Sequence, residues 1–151
     1  MTASIATNQT ILVVGGGISG MTAALEAAEC GKQVILVEKT PVLGGRTARL
    51  YRYFPKMCHP TCGLEINLRR IKQNRNIRLM TMTEVTAVSG SRGNYSVTLK
   101  VSPRFVNENC TACGKCGEAV ATEVSNPWNY GLDKMKAAYL PHNMAYPQRY
   151  V

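Results

Sequence analysis

Two stretches of this chain carry residue types at spacings that chemistry uses. The first is Gly15-Gly-Gly17-Ile-Ser-Gly20, followed by Glu38. Gly15 allows a tight turn, Gly17 lets the backbone approach a pyrophosphate, and Gly20 lets a helix lie close to a strand. Glu38 stands roughly 20 residues beyond the turn, the offset of an acid that hydrogen-bonds a ribose hydroxyl. A carboxylate there disfavours a 2′-phosphate, which leaves NAD or FAD and argues against NADP. A glycine signature alone says little. Here it follows the apolar run Ile11–Val14 and opens an Ala-rich helix, the context in which it is credible. The free N–H groups and the dipole at that helix start would face the phosphate charge.

The second stretch is Cys110-Thr-Ala-Cys113-Gly-Lys-Cys116. Three cysteines at this spacing open the bacterial ferredoxin motif and predict ligands to an iron–sulfur cluster of the 4Fe–4S kind. Structural zinc sites more often divide their ligands into two separated pairs. The motif's fourth cysteine and its proline are replaced by Val120 and Ala121. In two-cluster ferredoxins that cysteine serves the other cluster, so its loss argues against a second cluster. The first would still need a fourth ligand, from Cys58, from Cys62 or from outside the chain, unless it has three irons.

Cys58 and Cys62 flank His59 and Pro60 in what reads as a constrained loop. Three readings stay open: free thiols without chemistry, a redox dithiol working with a flavin, or a source of the cluster ligand. Cys30, at the end of the first helix, reads as a small buried or semi-buried side chain.

These residues need elements to position them. Ile11–Val14 and Val34–Val37 read as strands, with a helix over about Ser19–Cys30 that buries Met21, Ala24, Leu25 and Ala28 and ends at Gly31. Leu64, Leu68 and Ile71 mark one face of a short basic helix. Ile77–Val88 predicts one or two strands, Ser89–Asn94 a turn, and Tyr95–Val101 a half-buried antiparallel strand. A short helix is expected around Asp133–Tyr139, broken by Pro141. The aromatic tail beyond Asn126 is expected to pack on this chain or on a neighbour. The expected segments are 1–103 for dinucleotide binding, 104–125 for the cysteine loop, and 126–151 for the tail.

With 151 residues the chain suits one domain. Its 45% hydrophobic content excludes a disordered chain. The net charge of +9 is spread rather than blocked, and no nucleic-acid motif accompanies it, so it reads mainly as solvated surface. Met1–Thr10 is polar and lacks a secretory core, and no run reaches membrane-span length. A cytoplasmic chain is expected, in which six cysteines serve metal or redox roles rather than disulfides.

The loop Lys39-Thr-Pro-Val-Leu-Gly44-Gly45-Arg46 adds a resemblance. An acid ending the second strand, then Gly-Gly-Arg, is similar to the FAD-binding region of two-dinucleotide-domain flavoproteins. FAD, held by Gly15, Gly17, Gly20, Glu38, Lys39, Gly44, Gly45 and Arg46, is what this resemblance implies. Tyr53–Lys56, Cys58, Cys62–Asn67, Cys110–Cys116, Asn129–Gly131 and Lys136–His142 extend it over nearly the whole chain. The chain resembles the flavin- and iron–sulfur-containing subunit of heterodisulfide reductases. Within that family it most resembles the homologous subunit of the quinone-interacting membrane-bound oxidoreductase complex.

That resemblance implies an α/β, Rossmann-like FAD-binding domain with an antiparallel β-meander and a ferredoxin-like cysteine loop. It also implies electron transfer in sulfur metabolism. The implied partners are subunits of a membrane-associated redox complex, with adenylylsulfate reductase beyond them. Family members are longer and return to complete the flavin domain, so an amino-terminal part or a truncated copy is expected. Two other functions stay open: a flavin-linked thiol–disulfide oxidoreductase using Cys58 and Cys62, and a non-catalytic assembly module.

Overall fold

The computed structural model describes residues 9–151. The polar stretch read as lacking a secretory core lies largely outside the described residues. Three parallel strands, β1 (Ile11–Val14), β2 (Val34–Val37) and β3 (Ile77–Met80), form a sheet in that spatial order. Ile11 pairs with Val34 and Val34 with Ile77, so the strands run in step. β2 is central and reads as an unbroken apolar run because both its faces are covered: Val34, Leu36 and Val37 are all buried.

Helix α1 (Ile18–Glu29) connects β1 to β2, and α2 (Thr61–Gln73) lies on the path from β2 to β3. Both crossovers step the same way across the sheet, so right-handed connections place both helices on one face. Their apolar stripes meet there. Met21, Ala24, Leu25 and Ala28 of α1 join Leu64, Leu68 and Ile71 of α2, with Val34, Leu36 and Leu43, in one core. The spacing-based reading of both buried faces holds residue for residue. Cys30 departs from its reading: it is exposed, beyond the last apolar position of α1.

Pro60 caps α2, so the helix begins at Thr61 and Cys62 stands in its first turn rather than in a loop. Proline bars the helix only upstream of itself and suits its start.

Ile77–Val88 splits into β3 and β4 (Thr83–Ser91), separated where Met82 adopts a left-handed φ of 55°. β4 pairs with β5 (Asn94–Val101) as a two-stranded hairpin. The alternation of β5 is real, yet Tyr95 and Val101 are exposed. Among the described residues no third strand covers this hairpin, so the expected meander is a single ribbon.

The cysteine segment contains a short helix α3 (Lys115–Ala119) and strand β6 (Glu123–Ser125). The helix expected around Asp133–Tyr139 is instead strand β7 (Lys134–Lys136), antiparallel to β6. Pairing overrides local helix propensity here: Glu123 stands opposite Lys136 and Met135 opposite Val124. The tail then folds back on the parallel sheet and its helices. Leu43 donates its amide to Tyr146 O (2.9 Å), and Met144 and Tyr146 pack on the core. Among the described residues no helix is long and apolar enough to cross a membrane.

Candidate functional site

The turn after β1 is shaped by its glycines. Gly15 has φ 106°, a left-handed conformation that favours glycine, and donates to Val37 O (2.7 Å). Gly20 passes so close to the turn that a Cβ there would lie 1.9 Å from Gly15 O. Gly17 caps α1 without any side-chain capping bond, and the first intrahelical bond runs from Met21 N to Gly17 O (2.9 Å). The amides at the start of α1 therefore have no partner within the helix and are aimed outward. A Cβ at Gly17 would meet nothing within 4 Å. The mouth of the helix is open on the side from which a phosphate would come, which fits a diphosphate-containing cofactor.

The loop after β2 lies across this turn. Gly44 N donates to Gly16 O (2.8 Å), and a Cβ at Gly45 would come within 3.0 Å of Gly17 Cα. Glu38 ties the two together. Its carboxylate is buried and accepts from Gly16 N–H at Oε2 (2.5 Å) and from Thr40 N–H and Thr40 Oγ1–H at Oε1 (2.7 and 2.8 Å). These bonds use three of the carboxylate's roughly four lone-pair sites, and the one that remains is on Oε2. Glu38 thus fixes the turn while retaining capacity for a hydroxyl donor.

Glu38 also lines a cavity of about 470 Å³, together with Lys39, Gly45, Arg46, Arg49, Trp128 and Tyr139. That volume lies within the range of roughly 300–1,000 Å³ usual for small-molecule sites. Four of the residues named from the sequence, Glu38, Lys39, Gly45 and Arg46, share this cavity. Gly15, Gly17 and Gly20 shape the neighbouring helix mouth, and Gly44 is buried beneath the loop. Sequence reasoning missed Gly16, Thr40 and Arg49 on the near side and Trp128 and Tyr139 on the far side. The triple glycine was a readable signal for Gly16. A lone tryptophan in a polar tail was a weaker signal for Trp128.

The cysteines are arranged differently. Cys58 pairs with Tyr53 in an isolated bridge and is half-buried, whereas Cys62 is exposed. A hydrogen bond with Cys58 pushes the Tyr53 phenol above its ordinary value, with the charges of Cys58 and Cys62 adding to it. Cys110 accepts from Ala112 N–H (3.4 Å). Backbone hydrogen bonds from Tyr150 and Ala112, and then Arg149 and Arg104, hold its thiol below the ordinary range. Ala112 and Gly114 are both left-handed, giving the loop the curvature a wrapped cluster needs. Cys113 and Cys116 nevertheless stand exposed, and among the described residues no three His, Cys, Asp or Glu side chains converge to hold a metal. As placed, the three thiols do not form a ligand set.

The first site falls within a stretch that matches a known sequence family. The sequence family described as FAD dependent oxidoreductase matches residues 10–60. A CoB–CoM heterodisulfide reductase iron-sulfur subunit of Methanopyrus kandleri is 43% identical over 137 residues, covering 90% of this chain and 21% of that one. Its counterpart in Methanocaldococcus jannaschii is 40% identical over 147 residues, covering 95% and 22%. The chain spans about a fifth of the length of these relatives. Among solved structures, the L-proline dehydrogenase of P. horikoshii shares the fold, with a TM-score of 0.52 at 21% identity over 62% of this chain and 20% of that one. The order of strand, glycine turn, helix and acid thus sits in a sequence that, over nearly all its length, is similar to the amino-acid sequences of CoB–CoM heterodisulfide reductase iron-sulfur subunits.

Proposed function

We propose that this chain supplies the adenosine- and diphosphate-binding part of an FAD site in an electron-transfer oxidoreductase subunit. The single observation that carries the proposal is the open mouth of α1 beside a cavity that holds Glu38, Lys39, Gly45 and Arg46. The outward amides of α1 would take the diphosphate. Lys39 and Arg46, both exposed at the rim, would offset its charge. Glu38 would accept from a ribose hydroxyl while keeping its bonds to Gly16 and Thr40. FAD, when bound, supplies two-electron chemistry that can also proceed in single-electron steps.

Cys110, Cys113 and Cys116 are the proposed ligands of an iron–sulfur cluster. Their spacing and the words "iron-sulfur subunit" in the relatives' names support this. The exposed positions of Cys113 and Cys116 mean that the loop would have to close around the metal. Other subunits of a heterodisulfide-reductase-like complex are the proposed partners. A quinone pool or adenylylsulfate reductase finds no support among the relatives, whose names refer to CoB–CoM heterodisulfide. No feature of Cys58 or Cys62 favours a thiol–disulfide couple over free thiols.

Equilibrium dialysis of the 151-residue chain with FAD tests the central claim. Saturable binding of one FAD per chain, abolished by inorganic pyrophosphate at high concentration, is expected. Absence of any saturable FAD binding would leave the non-catalytic assembly module as the better reading.

A further inference from the structure

The cavity beside Glu38 is built from two distant parts of the chain. Its near wall is the loop from Glu38 to Arg49, and its far wall is Pro127, Trp128, Tyr139 and Pro141 of the tail. The far wall is held firmly. Arg49 Nη1 donates to Pro127 O (3.2 Å), and the Arg49 guanidinium carbon lies 4.7 Å from the centre of the Trp128 ring. Trp128 N donates to the Asn126 side chain (2.9 Å), and His142 meets the indole edge-on at 5.7 Å. Tyr139 is pinned by paired backbone bonds to Val151, 3.3 and 3.0 Å.

We propose that Trp128 is a specificity-determining residue of the nucleotide site, and that the adenine base packs against the Arg49–Trp128 pair. The inference rests on the FAD reading above and extends it to the tail. Its logic is directional. Glu38 anchors the ribose at the end of β2, and the diphosphate leaves from there towards the mouth of α1. The base is then left for the cavity that Glu38 lines, which Gly45 joins to the mouth of α1. The walls there offer what a purine takes: an indole and a phenol to stack on and a guanidinium plane beside them. Lys39 and Arg46 remain for the phosphates. The tail is thus part of the site, and a nucleotide would be held between chain segments some eighty positions apart.

Trp128 is the sole tryptophan of the chain, so its fluorescence reads this cavity alone. The experiment titrates the full chain with ADP and, separately, with inorganic pyrophosphate, following tryptophan emission alongside equilibrium dialysis. ADP is expected to change the emission saturably, and pyrophosphate to bind without changing it. Trp128→Ala is expected to weaken ADP binding by about tenfold, the usual loss on removing an aromatic stacking partner. Trp128→Phe is expected to stay within about threefold of the original, since the phenyl ring retains a stacking face; it also serves as the folded variant should the alanine form unfold. ADP binding by dialysis with unchanged emission, and with equal affinity in Trp128→Phe and Trp128→Ala, would overturn the inference while leaving the FAD reading intact. Failure of both ADP and FAD to bind in dialysis would remove the FAD reading and this inference together.

Discussion

Gly16 and Glu38 are joined across the mouth of α1 by a hydrogen bond from the Gly16 amide to Glu38 Oε2, 2.5 Å long. The acid read from the sequence as a ribose ligand is therefore also the brace of the glycine turn. A Cβ at Gly16 would run into Leu43 Cδ2 and lie 3.0 Å from Glu38 Oε2, so a larger residue there would have to displace the buried Leu43 side chain.

Glu38→Gln should reveal both roles. An amide keeps one acceptor oxygen where the carboxylate uses two, so one of the donors at Gly16 and Thr40 loses its partner. A loss of about 1–3 kcal/mol in stability is expected for a buried donor left unpaired. Thermal unfolding of the free chain measures it. FAD affinity, measured by dialysis below the melting range, should fall as well.

Gly17→Ala and Gly20→Ala should part company. Gly17 has φ −73°, open to any residue, and its Cβ would meet no protein atom. Its alanine form should fold with stability changed by no more than about 0.5 kcal/mol. It should bind FAD about tenfold more weakly or worse, because the methyl stands where the pyrophosphate must approach. Gly20→Ala drives a methyl into Gly15 O and should destabilise the fold by about 1–3 kcal/mol before binding is considered. Equal melting temperatures for the two variants would contradict this account.

Arg104 should prove structural. Its guanidinium donates to Pro41 O in the cofactor loop, to Thr81 Oγ1 (3.1 Å) after β3, and to Arg149 O (3.3 Å) in the tail. Arg104→Met keeps the apolar stem and removes the donors. A loss of about 2 kcal/mol is expected for hydrogen bonds from a charged group, with faster proteolytic cleavage of the tail as the local readout.

Cys113→Ser tests the cysteine loop against Cys30→Ser as a control, both thiols being exposed. After anaerobic reconstitution, iron per chain and the broad absorbance of a thiolate-ligated cluster should drop in the first and persist in the second. Equal iron in both would remove Cys113 from the ligand set.

His142 should make stability depend on pH. Burial pushes its pKa below the ordinary 6.5, and among the described residues its Nε2 has no hydrogen-bond partner. Between the lowered folded value and 6.5 the unfolded chain binds more protons, so stability falls as pH drops through this window and is fully kept above it. Melting temperature should decline from pH 7 towards about pH 5 in the original chain. The decline should be shallower in His142→Gln, which carries no titrating group.

Local chemistry written in contiguous residues was legible without a structure. The strand–turn–helix–strand order from Ile11 to Glu38 follows from periodicity and glycine sterics. So do the buried faces of α1 and α2, because an apolar stripe at helical spacing has one place to go. Segments whose state depends on distant partners were not. Lys134–Lys136 became a strand because Glu123–Ser125 offered a ladder, and among the described residues no third strand pairs with the β4–β5 ribbon. Glu38 could be named as an acid near a ribose, but its bond to Gly16 depends on the loop folding back. Trp128 joined the cavity only because the chain returns across Arg49, a contact between residues far apart in sequence that no local pattern encodes. Spacing named Cys110, Cys113 and Cys116 as candidate ligands. Where their thiols point was decided by the turn at Ala112 and Gly114 and by the packing of Tyr150 against it, which only the folded chain determines.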